Sequence, residues 1–207
     1  TDAGRLVIEN NYLYNITLNN ASELSVKNNR GNSSPSSHAG IFRLDTCMNL
    51  TLTGNRLKSL YLYSDTNVAF ANNNLRYYDL YGFQRTAIYL RWCHNFTFNN
   101  SYMYLRSDYK GRLWEIKNSS LGVISGDSLI VNNRSSNPIA LYINQSRDMK
   151  ILDNYIYHSD SRNDSHWGLY IYNSSGTNIV KGNYIAINPN VTAGSSIGLY
   201  NLSCQDG

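Results

Sequence analysis

GLYIYNSSGTNIVKGNYI, residues Gly168 to Ile185, decides how the rest of the chain is read. Three short apolar runs, Leu169 to Tyr172, Ile179 to Val180 and Tyr184 to Ile185, are separated by Asn, Ser, Gly and Thr. This is strand and turn chemistry with no room for a helix. No run can bury a face alone, so the unit makes sense only if copies of it stack.

The copies are ALYINQSRDMKILDNYI (Ala140 to Ile156), AIYLRWCHNFTFNNSYM (Ala87 to Met103), LYLYSDTNVAFANNNL (Leu60 to Leu75) and GIFRLDTCMNLTLTGNRL (Gly40 to Leu57). LVIENNYL (Leu6 to Leu13) and LSVKNNRG (Leu24 to Gly31) keep only the second half. LWEIKNSSLGVISGDSL (Leu113 to Leu129) lacks the Asn, and GLYNLSCQDG (Gly198 to Gly207) begins a further copy. Each unit reads as an opening strand, a polar turn, a middle strand, a turn with Asn and a closing strand. The pattern resembles the right-handed parallel β-helix repeats of the carbohydrate-binding and sugar-hydrolase type, including the NosD-like proteins of archaea. That resemblance implies an all-β, right-handed parallel β-helix (solenoid) forming one domain over residues 1–207. It does not imply one activity, because the architecture serves lyases, hydrolases, phage spikes and inert surface proteins alike.

The second-turn Asn sets the register: Asn11, Asn29, Asn55, Asn73, Asn154 and Asn183, with Ser101 and a residue near Gly126 filling two gaps. About eight coils result, a rod roughly 40 Å long at roughly 4.8 Å per coil. Asn at that turn is expected to adopt the left-handed region and to bond its equivalent one coil away, forming an Asn ladder. Apolar residues fall five and three positions before the Asn and two after it. They are Leu6, Ile8 and Leu13; Leu50, Leu52 and Leu57; Val68, Phe70 and Leu75; and Phe96, Phe98 and Met103, the expected core. Insertions follow the closing strand at Gly31 to Ala39, Tyr104 to Arg112, Val131 to Pro138, Tyr157 to Trp167 and Ile187 to Ser196, and should protrude from one side.

Charged residues are 15% of the chain, net charge is +4, and Lys and Arg form no run, so a nucleic-acid partner is not indicated. No apolar stretch reaches the length of about 20 residues of a membrane-spanning helix. Against that low charge stand 30 Asn and 18 Tyr. N-x-S/T sequons occur thirteen times, at Asn15, Asn20, Asn32, Asn49, Asn95, Asn99, Asn118, Asn133, Asn144, Asn163, Asn173, Asn190 and Asn201. Shuffling this composition would give roughly five. Part of the excess is repeat structure, since Asn118, Asn144, Asn173 and Asn201 all follow the opening strand. The rest is what a glycosylated exterior would produce.

An aromatic recurs in each opening strand: Phe42, Tyr61, Tyr89, Trp114, Tyr142, Tyr170 and Tyr200. Taken as outward, these form a ladder that steadies the sheet, and also a contact face for protein or sugar. Cys47, Cys93 and Cys204 share one turn, but Cys47 and Cys93 lie two coils apart, roughly 10 Å, which is too far for a disulfide. His158, Asp160, Arg162, Asp164 and His166 crowd one insertion, and Asp108 with Lys110 another. They read as solvated loops; the alternatives are a catalytic cluster, for which no D-x-D or D-D pair occurs, and a His158–His166 metal site, whose spacing gives no regular geometry. Glu115 is the one acid placed in an opening strand.

The expectation from these features is a structural glycoprotein of the cell surface or extracellular space, a subunit of a surface layer, sheath or filament, without catalytic residues, metal or cofactor. Neither terminal copy reads as capped, so both ends should abut more protein. Its partners are then copies of itself or neighbouring domains, together with covalent N-glycans. The alternative is a carbohydrate-active enzyme or polysaccharide-binding β-helix module, marked by side chains converging in a groove.

Overall fold

The computed structural model describes residues 5–31, 40–79, 86–107, 112–133, 138–159, 166–187 and 196–202. Among them every regular element is a strand. The middle strands pair in chain order into one eight-stranded sheet: Leu6–Glu9, Leu24–Lys27, Met48–Thr53, Thr66–Ala71, His94–Asn99, Ser120–Ser125, Lys150–Leu152 and Ile179–Lys181. The closing strands form a second: Tyr12–Leu13, Arg30–Gly31, Arg56–Leu57, Asn74–Asp79, Tyr102–Ser107, Ser128–Asn133, Tyr155–His158 and Tyr184–Ile187. The opening strands form the third: Asn15–Asn19, Ile41–Asp45, Ser59–Tyr63, Thr86–Arg91, Arg112–Lys117, Ile139–Asn144, His166–Tyr172 and Ser196–Leu202. Each strand pairs with its equivalent one coil away, always in parallel, as in Val68↔Phe96 and Phe70↔Phe98. The chain is a parallel β-solenoid.

The ladder explains why the corners can be so tight. The main-chain N–H of Asn11 donates to Oδ1 of Asn29, that of Asn29 to Asn55 and that of Asn55 to Asn73. The run continues through Ser101, Asp127, Asn154 and Asn183. The unassigned residue near Gly126 is therefore Asp127. Each Asn amide also donates to main-chain carbonyls, as Asn55 Nδ2 does to Val26 O at 2.8 Å, so a chain that leaves the sheet still has its polar groups satisfied. The left-handed backbone falls one residue earlier than the sequence suggested, at Asn10, Asn28, Gly54, Asn72, Asn100, Gly126, Asp153 and Gly182. The closing strand begins one residue after the ladder residue.

A second ladder, unnoticed in the sequence, runs through the turn between opening and middle strands. Cys47 N–H donates to Asp65, Cys93 N–H to Ser119, Ser119 N–H to Ser146 and Ser146 N–H to Ser174. The residue before each is left-handed: Thr46, Ser64, Trp92, Asn118, Gln145 and Asn173, with Asn20 at the first turn.

Leu50, Leu52, Leu57, Val68, Phe70, Leu75, Phe96, Phe98 and Met103 are all buried, as expected. Phe98 packs against Phe70 and Trp114 at ring separations of 4.6 and 4.5 Å. Gly122 occupies the core position paired with Phe96, because the Phe96 ring and the Met149 tip already fill the space a side chain would need. Leu6, Ile8 and Leu13 are less covered, Leu6 being 37% exposed, because their coil is flanked on one side only among the described residues. With the first and last strands of each sheet so placed, about six turns are closed by a coil above and below, fewer than the eight full coils expected.

The strand Asn15–Asn19 was not foreseen; it pairs with Ile41–Asp45 and directs Ile16 inward. The closing strands are also longer than expected, since Leu105, Val131 and His158 continue the inward alternation. The insertions are correspondingly shorter, and residues 32–39, 108–111, 134–137, 160–165 and 188–195 lie outside the described residues, as do Asp108, Lys110, Asp160, Arg162 and Asp164.

Candidate binding face on the opening sheet

Strand pairing aligns the outward residues of the opening sheet into columns. One runs Arg43, Tyr61, Tyr89, Glu115, Tyr142, Tyr170. The column beside it, two residues on, runs Asp45, Tyr63, Arg91, Lys117, Asn144, Tyr172. Two expected members of the aromatic face, Phe42 and Trp114, do not belong to it. Phe42 pairs with Leu60 and Trp114 with Leu141, and both are fully buried. The error is one of register: several opening strands carry two consecutive inward residues, Ala87–Ile88, Leu113–Trp114 and Ala140–Leu141, so Leu-Trp-Glu-Ile aligns with Ala-Leu-Tyr-Ile. Tyr200 pairs with Tyr170, its side chain lying outside the described residues.

The face opens into a groove of about 410 Å³ lined by Ile41, Arg43, Tyr61, Tyr63, Thr86, Tyr89 and Glu115. Its floor is tyrosine. Tyr63 and Tyr89 pack at 5.5 Å, and the Tyr61 hydroxyl donates to the Thr86 carbonyl at 3.1 Å. Arg43 lies 5.0 Å over the Tyr63 ring. At the far wall Arg112 binds Glu115 at 2.7 Å while stacking 4.0 Å over Tyr142, so the carboxylate is fixed and its charge offset. Burial first, and the Glu115 charge second, push the Tyr89 hydroxyl above its ordinary pKa, keeping it a neutral donor. Beyond the groove the aromatic surface continues through Tyr142 and Tyr170, 5.3 Å apart, to Trp167. Tyr63 and Arg43 were not singled out from the sequence, although an aromatic two residues after Tyr61 was the available signal. Asp45 ends an opening strand too, so Glu115 is not the sole acid there.

The sequon asparagines are spread over several positions. Asn15, Asn20, Asn49, Asn95, Asn173 and Asn201 are exposed, whereas Asn99, Asn118 and Asn144 are half-buried. Asn99 and Asn144 each keep a buried Oδ1 without a hydrogen-bond partner. Asn133 ends a closing strand, its side chain undescribed, and Asn32, Asn163 and Asn190 lie outside the described residues. Asn118, Asn144, Asn173 and Asn201 do not share one turn position. Asn118 and Asn173 are left-handed turn residues, Asn144 is in a strand, and Asn201 pairs with inward Ile171. Asn49, Asn67 and Asn95 form an exposed side-chain ladder of their own.

Cys47 and Cys93 are buried free thiols separated by the Asp65 turn, as their spacing required; Cys204 lies outside the described residues. Burial pushes the Cys93 thiol up to about 12, which removes it from thiolate chemistry. Burial also raises the carboxyls of Asp65 and Asp127 to about 7. His158 and His166 are not solvated as expected: both are buried, with rings 5.7 Å apart. His158 donates Nε2–H to the Trp167 carbonyl and, desolvated, titrates only near pH 3. Among the described residues no three His, Cys, Asp or Glu are grouped to hold a metal.

No family model matches the chain, and no curated protein matches it. Among solved structures it is similar to the A-module of the mannuronan C-5 epimerase AlgE4 of Azotobacter vinelandii, at 11% identity and a TM-score of 0.24. The match covers 90% of this chain and 62% of that module, so the chain spans under two thirds of its length. A likeness at that score bears on neither site nor activity, and the solenoid rests on the strand pairing described above.

Proposed function

We propose that this chain is an extracellular module that binds an extended polysaccharide along the outer face of its opening sheet. The observation that carries the reading is the tyrosine-floored groove, with Arg43, Thr86 and Glu115 placed around the rings. Sugar rings present apolar C–H faces and hydroxyl edges, and a site of aromatic surface with a few polar side chains suits both. Strands one coil apart give a flat, repeating platform, which matches a repeating polymer better than a single small molecule. The reading is one of binding: Glu115 is the one carboxylate lining the groove among the described residues, and it is ion-paired, whereas sugar hydrolysis ordinarily needs two. Affinity electrophoresis through gels containing xylan, carboxymethyl-cellulose, polygalacturonate or alginate tests it. At least one polymer should retard the protein, and Tyr89→Ala should abolish the retardation; no retardation by any would remove the reading.

A second reading, a structural glycoprotein of a surface layer, sheath or filament, draws on the six exposed sequon asparagines. Light scattering of the native protein separates the two: large assemblies support this reading, and a monomer that binds polysaccharide supports the first.

A further inference from the structure

At the corner where the opening sheet hands over to the middle sheet, seven described turns place a residue in the left-handed region at the same first position, and six of them place another three residues on. At the first position six turns use Asn20, Thr46, Ser64, Asn118, Gln145 and Asn173, all polar. The seventh is Trp92, with φ of 58°. A bulky side chain gains nothing from that backbone region and is strained in it, whereas Asn tolerates it. Nor is the ring compensated by burial, for Trp92 is 50% exposed. Leu121, with φ of 54° and 45% exposed, shares that strain one coil on, so what sets Trp92 apart is a bare aromatic ring, the kind of surface that stacks on ligands.

Its neighbours say what the indole faces. Arg91 lies 3.7 Å over the Trp92 ring and is itself paired in register with Tyr63, a groove-lining residue. The guanidinium therefore covers one ring face, leaving the exposure to the remaining surface, and Trp92 follows directly on the residue paired with groove-lining Tyr63. Half-bare indole on a rigid corner, next to a tyrosine-floored groove, is a stacking platform for a sugar ring.

We propose that Trp92 is a specificity-determining subsite, stacking on a sugar unit of a polysaccharide that leaves the groove past Tyr63 and turns the corner. The proposal rests on the groove reading and adds that the site selects for chain length. A short oligosaccharide would be held by the groove alone, and a longer one would reach Trp92 as well.

The test uses Trp92→Asn, which installs the residue found at three equivalent turns, and Tyr89→Ala as the groove variant. Calorimetric titrations with disaccharides and hexasaccharides of xylose, glucose and galacturonate (β-1,4, β-1,4 and α-1,4 linked) read affinity, and thermal melts read stability. Trp92→Asn should raise Tm, leave disaccharide affinity within twofold and weaken hexasaccharide binding about tenfold. A role confined to holding the turn would instead lower Tm and leave both affinities unchanged. If Tyr89→Ala abolishes binding while Trp92→Asn leaves the hexasaccharide affinity within twofold, the Trp92 assignment is overturned and the groove stands. If no probe binds, or Tyr89→Ala alters none, the groove reading falls and the Trp92 subsite with it.

Discussion

Replacing Asp127 by Asn should stabilise the protein, and by an amount set by pH. Asp127 is a rung of the closing-turn ladder, 1% exposed, whose Oδ1 accepts the Ser101 N–H while Oδ2 is buried without a hydrogen-bond partner. At the Asn rungs the atom in that place is an amide nitrogen donating to main-chain carbonyls, as Asn73 Nδ2 does to Leu52 O at 2.7 Å. Burial raises the carboxyl to about 7 against the lowering hydrogen bond from Ser101 N–H, so it retains its proton up to about pH 7 in a slot that elsewhere holds a donor. Its folded pKa thus lies above the unfolded one, near 3.8. The stability it contributes is present in full below that lower value and is lost as pH rises through 7. About three pKa units correspond to roughly 4 kcal/mol at pH 8 and above, and an effective gain of about 2 to 4 kcal/mol for Asp127→Asn is expected there. Below pH 3.5 the two proteins should differ by under about 1 kcal/mol, since the acid is then neutral folded and unfolded. Urea unfolding of both proteins from pH 3 to 9 measures this directly. A difference that does not change with pH, or an Asn variant less stable at pH 8, would refute the reasoning. Asp65→Asn is the contrast: both of its oxygens accept main-chain N–H groups, from Cys47 at 2.7 Å and Tyr63 at 3.1 Å, so an amide there would turn a donor against a donor and should stabilise far less.

Leu52→Ala or Phe70→Ala should cost about 2 to 5 kcal/mol in denaturant unfolding, while Thr51→Ser and Ala69→Ser on the outward alternation stay near neutral; equal losses would contradict the register. Gly122→Ala should cost about 1 to 3 kcal/mol, because the added methyl meets the Phe96 ring and Met149, and a neutral result would show that this part of the core is loosely packed. Peptide mapping of native material is expected to find glycans on exposed Asn15, Asn20, Asn49, Asn95 and Asn173 in preference to half-buried Asn99 and Asn144; the reverse order would argue against the glycoprotein reading.

The fold was legible because a solenoid writes its register into the chain at fixed offsets. The Asn-to-core spacing placed Leu50, Phe70 and Met103 inward without any knowledge of tertiary contacts. What the spacing could not convey was the corner of the opening strand, where two consecutive residues turn inward and a count by twos slips by one. Trp114 was lost from the aromatic face for that reason, while Phe42, in a strand that alternates simply, was set one residue out of step with its neighbours. These slips concealed that Arg43 and Glu115 stand in the column with Tyr61 and Tyr89. The buried state of Asp65 and Asp127 was hidden for another reason: a ladder of backbone N–H groups accepts Asn, Ser, Cys or Asp at a rung, and only the stacked coils reveal that the acid is desolvated.

The central claim, that the tyrosine groove receives a polysaccharide, is tested most directly by hydroxyl-radical footprinting, with and without the polymer that retards the protein in the gels. Oxidation of Tyr61, Tyr63 and Tyr89 should fall severalfold on binding, with Trp92 falling alongside, while Tyr12 and Tyr184, 81% and 61% exposed on the closing sheet, should be oxidised as before. Unchanged labelling of the three groove tyrosines, or protection confined to the closing sheet, would contradict it.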